Sequence, residues 1–208
     1  MAKFPEPPPI NDLIALGPDR HTLHPTDLLW RLYPQAGKHP RAWNTFRSFG
    51  PVTSMRFDHH LEPPREQGRK ILYAGTTIEG CVAEYFQSSR TIDRFTDEPW
   101  LVGFWVERDV TLLNLRDEWP TSAGASQEIN SGQHGRARRW SRAIYDAYPD
   151  IEGLWYRSSM WRGWRAVAFY ERAQAALTVA QFSHMPFSAP GLFAPLDHLA
   201  RRLDWALV

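Results

Sequence analysis

The order of apolar and polar positions divides the chain into short strands and a few helices. "DLLWRLYP" at 27–34 and "ILYAG" at 71–75 are apolar runs closed by proline or glycine, the pattern of buried strands. "WLVGFWVE" at 100–107, "VTLLNL" at 110–115, "GLWYRSS" at 153–159 and "RAVAFYE" at 165–171 read the same way. Another short strand is expected around Met55–Phe57. Helical spacing appears three times. Ile78, Cys81, Val82, Tyr85 and Phe86 recur at i, i+3, i+4, i+7 and i+8, behind a hydroxyl N-cap from Thr76 or Thr77. Trp140, Ile144 and Ala147 form a second stripe that stops before Pro149. Leu196, Leu199, Leu203 and Trp205 form a third in the tail.

The remaining segments are turn-forming. Residues 1–26 carry "PEPPP" and "HTLHPT", whose prolines favour extended chain, with one brief helical turn around "INDLIAL". This predicts an N-terminal arm over 1–26 and one domain over 27–208. "HHLEPPREQGRK" at 59–70 and "WPTSAGASQEINSGQ" at 119–133 read as loops. A chain of 208 residues that is 43% hydrophobic can bury one substantial core, so the expectation is a single α+β domain.

Charge and composition narrow the functional classes. The 24 Lys and Arg against 23 Asp and Glu leave a net charge of +1, so recognition must come from a local site. One local candidate is "GRARRWSR" at 135–142, which either touches phosphate backbones or forms a solvated helix face. The lone cysteine, Cys81, cannot close an internal disulfide and suits a buried thiol in a reducing, cytoplasmic compartment. No signal-like segment opens the sequence, and no apolar run approaches the ~20 residues of a membrane span. His21, His24, Asp58, His59 and His60 cluster in sequence but lack a helical H-E-x-x-H or a cysteine partner, so no metal is expected. Glycine-rich dinucleotide and P-loop motifs are absent. Ten Trp and seven Tyr suit a core or a pocket for a planar ligand equally well.

Four positions gain meaning from being read together. Glu84 lies ~130° from the centre of its helix's apolar stripe, which by itself describes a solvated glutamate. Arg31, between Trp30 and Tyr33, can offer a planar fork to phosphate or simply cover apolar surface with its stem. Arg56 in "SMRFD" has similar company. Ser158 in "GLWYRSSM" can be ordinary turn chemistry.

In their order, "LLWRLYP", "RFD", "ILYAGTTIEGCVAEYF" and "GLWYRSS" resemble the RES domain family, named for an arginine, a glutamate and a serine that match Arg31, Glu84 and Ser158. The resemblance runs from about residue 27 to 171 and is most specific between Tyr73 and Glu84. It implies a toxin of a bacterial toxin–antitoxin pair that consumes NAD as substrate. The implied fold has central twisted, mixed or antiparallel sheets flanked by helices, similar to ADP-ribosyltransferase toxins. The family's second arginine and its tyrosine fall on Arg56 and Tyr73, and Ser158 is preferred to Ser159, which would face the other side of a strand. Glu84, Arg31 and Ser158 are then the expected catalytic residues. Arg31, Arg56, Tyr73 and Tyr33 are expected around NAD, the arginines on its diphosphate and Tyr73 stacked on nicotinamide.

The chemistry fits those residue types. Breaking the nicotinamide–ribose bond builds oxocarbenium character on the sugar, and Glu84 is the one matched residue able to stabilise it. The acceptor stays open between water, inorganic phosphate and a protein side chain, the last making a mono-ADP-ribosyltransferase. The resemblance further implies a cognate Xre-type antitoxin covering the active site, with nucleic acid engaged only through that partner. The rival of another class is a non-catalytic nucleic-acid-binding module built on the arginine helix at 135–142.

Overall fold

In the computed structural model, which describes residues 4–161, 163–177 and 181–208, the apolar runs become strands of one curled sheet. The chain opens with α1 (Ile10–Leu16), β1 (Arg20–Leu23), β2 (Leu29–Pro34), β3 (Arg47–Gly50) and the long β4 (Arg65–Gly75). Then come α2 (Ile78–Phe86), β5 (Thr91–Ile92), β6 (Pro99–Phe104), β7 (Val110–Asn114), α3 (Trp119–Ser122) and α4 (His134–Ala147). It closes with β8 (Gly153–Arg157), β9 (Arg165–Tyr170), β10 (Gln181–Pro186), α5 (Phe193–Leu203) and β11 (Ala206–Leu207). The main sheet runs β1-β7-β8-β9-β4-β2-β6-β10, with β3 added to β4. Within it β7 and β8 are parallel and the other pairs antiparallel. The result is a single mixed α+β domain, as expected.

Strict alternation in the central strands shows why both faces are covered. In β9, Ala166, Ala168 and Tyr170 face the α4 side, where Ala137, Trp140 and Ile144 pack. Val167 and Phe169 face the opposite layer with Leu72, Phe104 and Trp155. A third cluster joins α2 and α5 through Val82, Ala83, Phe86, Leu196 and Leu199. Burial of a side chain such as Val82 or Phe86 contributes roughly 1.5–3 kcal/mol, so α2 is anchored along its length.

The feature that positions the site is a gap in the sheet. β2 pairs with β6 along its whole length but touches β4 through one residue pair, Trp30 with Gly75. The strands diverge from that point, and the space between them is a cleft. Glycine is required at the hinge because a Cβ on Gly75 would lie 2.9 Å from the Cys81 sulfur. Gly103, opposite Trp30, similarly leaves room for the indole, 2.9 Å from where its Cβ would sit.

Several boundaries differ from the sequence reading, and β4 begins at Arg65, inside the 59–70 stretch read as a loop, because its polar first half pairs with β3. No strand forms at Met55–Phe57. Phe57 is wholly buried against Tyr156, but the backbone here is held by side chains of α4 instead of a ladder. Ser141 Oγ donates to Phe57 O at 2.8 Å, Arg138 to Thr53 O at 2.6 Å and Arg142 to His60 O at 3.2 Å. The strand of this region is β3, a little earlier. Tyr85 leaves the expected stripe of α2 and is 39% exposed, because Gly80 and Ala83 turn the buried face toward themselves. The tail helix ends at Leu203, where Asp204 adopts a left-handed conformation, and Trp205 leads into β11, which pairs with β5. The 119–133 loop contains α3 and a 3-10 turn at Gln127–Asn130. β10 has no apolar alternation to announce it and owes its conformation to pairing with β6.

The described part of the expected N-terminal arm is tied down. Trp140 Nε1 donates to Pro5 O at 2.9 Å, Tyr148 to Leu13 O, and Glu6 pairs with Arg136 and Arg139. β1 then forms an edge of the main sheet. The arginines of α4 therefore serve as a clamp on the N-terminal segment and the 51–60 loop.

Candidate functional site

A cavity of about 370 Å³ opens where β2 and β4 part, walled by those strands, α2, the 51–60 loop and the end of β8. Glu84, Ser158, Arg31, Arg56, Tyr73 and Tyr33 all line it, although they lie on separate elements. Thr77 caps α2 by accepting from Gly80 N at 3.0 Å, which fixes the helix register and with it the direction of Glu84.

Both carboxylate oxygens of Glu84 are engaged. Ser158 Oγ donates to Oε1 at 2.5 Å and Gln87 Nε2 to Oε2 at 3.3 Å. Ser158 is itself held, because its Oγ accepts from Met160 N at 3.0 Å and its backbone N–H donates to Trp164 O at 2.9 Å. Ser159 also reaches the cleft but is exposed, so the hydroxyl in contact with the carboxylate is that of Ser158.

The arginines are poorly neutralised. Arg31 is half-buried, its Nε has no partner among the described residues, and burial followed by repulsion from Arg41 lowers its pKa to about 10. Arg56 donates to Gly132 O, and burial lowers its pKa while Tyr156, Glu84 and Tyr73 pull it back up. Arg41, in the loop after β2, is lowered by burial and by Arg47. Arg47 differs, being paired at 2.8 Å with the buried carboxylate of Asp58.

The two tyrosines occupy different positions. Tyr73 is partly exposed, while its buried hydroxyl faces the Phe57 N–H without a hydrogen bond of normal geometry, and burial raises its pKa. Tyr33 is 1% exposed, and its hydroxyl is committed to His184 at 2.5 Å and Gln35 at 3.0 Å. It supports the wall and offers little surface to a ligand. Cys81 is free and buried, donates to Trp30 O at 2.9 Å, and burial pushes its pKa up to about 12, far from thiolate chemistry.

Sequence reasoning missed Gln87, Arg41, Arg47, Tyr156 and His134, all of which line the cleft. Gln87 had a legible signal, standing three residues after Glu84 on the same helix face. Arg41 and Arg47 lie in turn-rich sequence with no period to place them. Among the described residues no group of three His, Cys, Asp or Glu side chains is arranged to hold a metal ion, and no helix is long and apolar enough to cross a membrane.

Fold and site together define a class: a single-domain α+β protein whose cleft, opened by a parted sheet, sets one doubly held carboxylate among arginines. The chain belongs to the RES domain family, whose profile matches residues 28–189. Its fold is similar to that of a chain in the crystal structure of the M. tuberculosis MbcT–MbcA toxin–antitoxin complex, with a TM-score of 0.58 and 15% sequence identity. That likeness covers 91% of this chain and 96% of the other. No curated protein matches the sequence.

Proposed function

We propose that this protein is a toxin that depletes NAD by cleaving the nicotinamide–ribose bond. The observation that carries the reading is Glu84, fixed through both oxygens by Ser158 and Gln87 in a cleft that also holds incompletely neutralised arginines. A carboxylate with two donors in place keeps its remaining lone pairs for the ribose hydroxyls and for the positive charge that develops on the sugar. It need not reorganise as the bond breaks. Arginines hold the diphosphate, Tyr73 lies against the nicotinamide ring, and the departing nicotinamide is neutral, so the cleft needs no acid to release it.

With water as acceptor, NAD gives ADP-ribose, nicotinamide and one proton. With inorganic phosphate it gives ADP-ribose 1″-phosphate and nicotinamide, the nucleophile being already anionic. The surplus of arginine favours a small anionic acceptor over a protein side chain. Such an enzyme acts where NAD is abundant, in the cytoplasm, and needs restraint. The similar fold was solved with an antitoxin, and a cognate Xre-type antitoxin that closes the cleft is the expected partner here.

The purified protein should release nicotinamide from NAD, with chromatography of the products in the presence and absence of phosphate separating the two acceptors. Glu84→Gln keeps the shape and removes the charge; turnover should fall by roughly 10²–10³, with the thermal midpoint unchanged. No nicotinamide from the wild-type protein, or full release by Glu84→Gln, would reject the reading.

A further inference from the structure

Besides Arg165 at the start of β9, four arginines line the cleft among the described residues, and they fall into two groups with different surroundings. Arg31 on β2, Arg41 in the following loop and Arg47 at the start of β3 are near enough to repel one another. Arg56 senses a different set of neighbours, Tyr156, Glu84 and Tyr73. Both groups line the same cavity, and of these four arginines Arg56 is the one that Glu84 attracts.

The charge balance of the first group is incomplete. Asp58, wholly buried, accepts from Arg47 at 2.8 Å and neutralises it. Arg31 and Arg41 have no carboxylate within ion-pair distance among the described residues, and Glu66 attracts Arg41 only from farther away. Two half-buried guanidinium groups held together without counter-charges are costly in the free protein, and an anion between them removes that cost. The diphosphate of a dinucleotide carries two negative charges and presents paired oxygens to planar forks. Two uncompensated arginines match it in number and chemistry.

We propose that Arg41 is a substrate-binding residue which, with Arg31 and an Asp58-buttressed Arg47, forms the diphosphate subsite, leaving Arg56 to the sugar and acceptor end of the cleft. This rests on the reading of the site as NAD-cleaving but extends it, because it reassigns Arg56 and adds Arg41, a residue of the loop between β2 and β3 to which the sequence motifs give no role. A small anionic acceptor would then meet Arg56 beside Glu84 without competing for the substrate's phosphates.

ADP is a suitable probe, since it carries the diphosphate and lacks the scissile bond. Calorimetric titration of the full-length protein with ADP should show binding that weakens with added salt. Arg41→Ala should reduce the affinity about ten-fold or more, the scale of one lost charge-assisted contact, and Arg41→Lys should recover part of it. Arg56→Ala should change ADP affinity by less than about two-fold while raising the phosphate concentration needed for half-maximal nicotinamide release. Arg41→Gln replaces Arg41→Ala if the latter does not fold. Unchanged ADP affinity in the folded Arg41 variants, or an equal loss in Arg56→Ala, would overturn the assignment. If ADP binding depends on Arg41 but NAD is never cleaved, the subsite stands and the catalytic reading fails. If NAD is cleaved and neither ADP affinity nor KM for NAD responds to Arg41, the subsite fails alone.

Discussion

Two polar clusters meet at the 51–60 loop, and they are built on opposite principles. In the cleft, Glu84 is the lone carboxylate among the described lining residues, several arginines wall the site, and the buried Nε of Arg31 has no partner among the described residues. Behind it, Asp58 and His60 are buried and bonded to each other, Asp58 also accepts from Arg47 and from Val52 N at 2.6 Å, and His59 lies 3.4 Å from Glu171. Glu171 in turn accepts from Tyr145 and from Lys70 N at 2.8 Å, and Tyr145 lies beneath the guanidinium groups of Arg172 and Arg69. In the second cluster Asp58, His59 and His60 are wholly buried, and both carboxylates are held by protein donors, although the Glu171 side chain keeps 21% of its surface exposed. A site that waits for a ligand leaves charge uncompensated at an opening; a structural network spends its charges internally. Reactive residue types alone do not separate the two, since the sequence "DHH" looks as chemical as any other segment.

The contrast can be broken most directly at Asp58. Replacing it by alanine strands Arg47, whose side chain is 10% exposed, and removes the acceptor of Val52 N–H. Breaking a buried pair from one side typically costs about 3–5 kcal/mol. Urea denaturation of Asp58→Ala should show a loss of that size, whereas Glu84→Gln should stay within about 1 kcal/mol of the wild type. Equal stability of the Asp58 variant would mean that the buried network is not structural.

How much of this was legible beforehand follows from what each residue type announces. The strands β2, β8 and β9, the buried end of β4 at 71–75 and the helix α2 were readable because alternation and a 3.6-residue stripe are imposed by burial on two-sided sheets and anchored helices, whereas the exposed polar start of β4 read as loop. Glu84 and Ser158 stand at fixed offsets on those elements, so their meeting in the cleft followed once the segments were matched to a family pattern. Arg41 and Arg47 were not legible, because loop backbone has no period and their positions depend on Asp58 and on the parting of β2 from β4. The same holds for Phe57, whose apolar context suggested a strand although α4 side chains hold its backbone. The arginines at 136–142 were visible as a basic run, but only tertiary contacts show them bonded to Glu6, Thr53 and His60.

Acid provides a second test of the closed cluster. Burial holds His59 neutral, lowering its pKa to about 4, so the unfolded chain binds an extra proton between pH ~6.5 and 4 and stability falls as pH drops through that window. The contribution at stake is roughly 3 kcal/mol. Burial alone would raise the carboxyl groups of Asp58 and Glu171. Their partners outweigh it and hold both at about 2, so their contribution is present above pH ~4 and lost as pH falls toward 2. Denaturation midpoints measured from pH 7 to 3 should therefore decline in two stages. His59→Leu should flatten the first stage and, because His59 is a partner of Glu171, weaken the second without abolishing the share of Asp58; a wild-type profile flat down to pH 4 would contradict the buried neutral histidine.

The smallest expected effect lies at the contact that distinguishes the open site from a bare carboxylate. Gln87 sits at the C-cap of α2, where its amide is shared between Glu84 O at 2.9 Å and Glu84 Oε2 at 3.3 Å. The longer bond to the carboxylate makes it the weaker of the two donors, after Ser158. Gln87→Ala should accordingly cost about 1 kcal/mol of barrier, roughly a five-fold drop in turnover, with little change in KM because the side chain is assigned no contact with the diphosphate. Gln87→Glu is the sharper variant. It sets a second carboxyl beside Glu84, and like charges oppose joint ionisation, so the acid limb of the pH–rate profile should move to higher pH, while Gln87→Ala leaves no such like-charge shift. A residue that only capped the helix would alter stability in both variants and move neither turnover nor that limb.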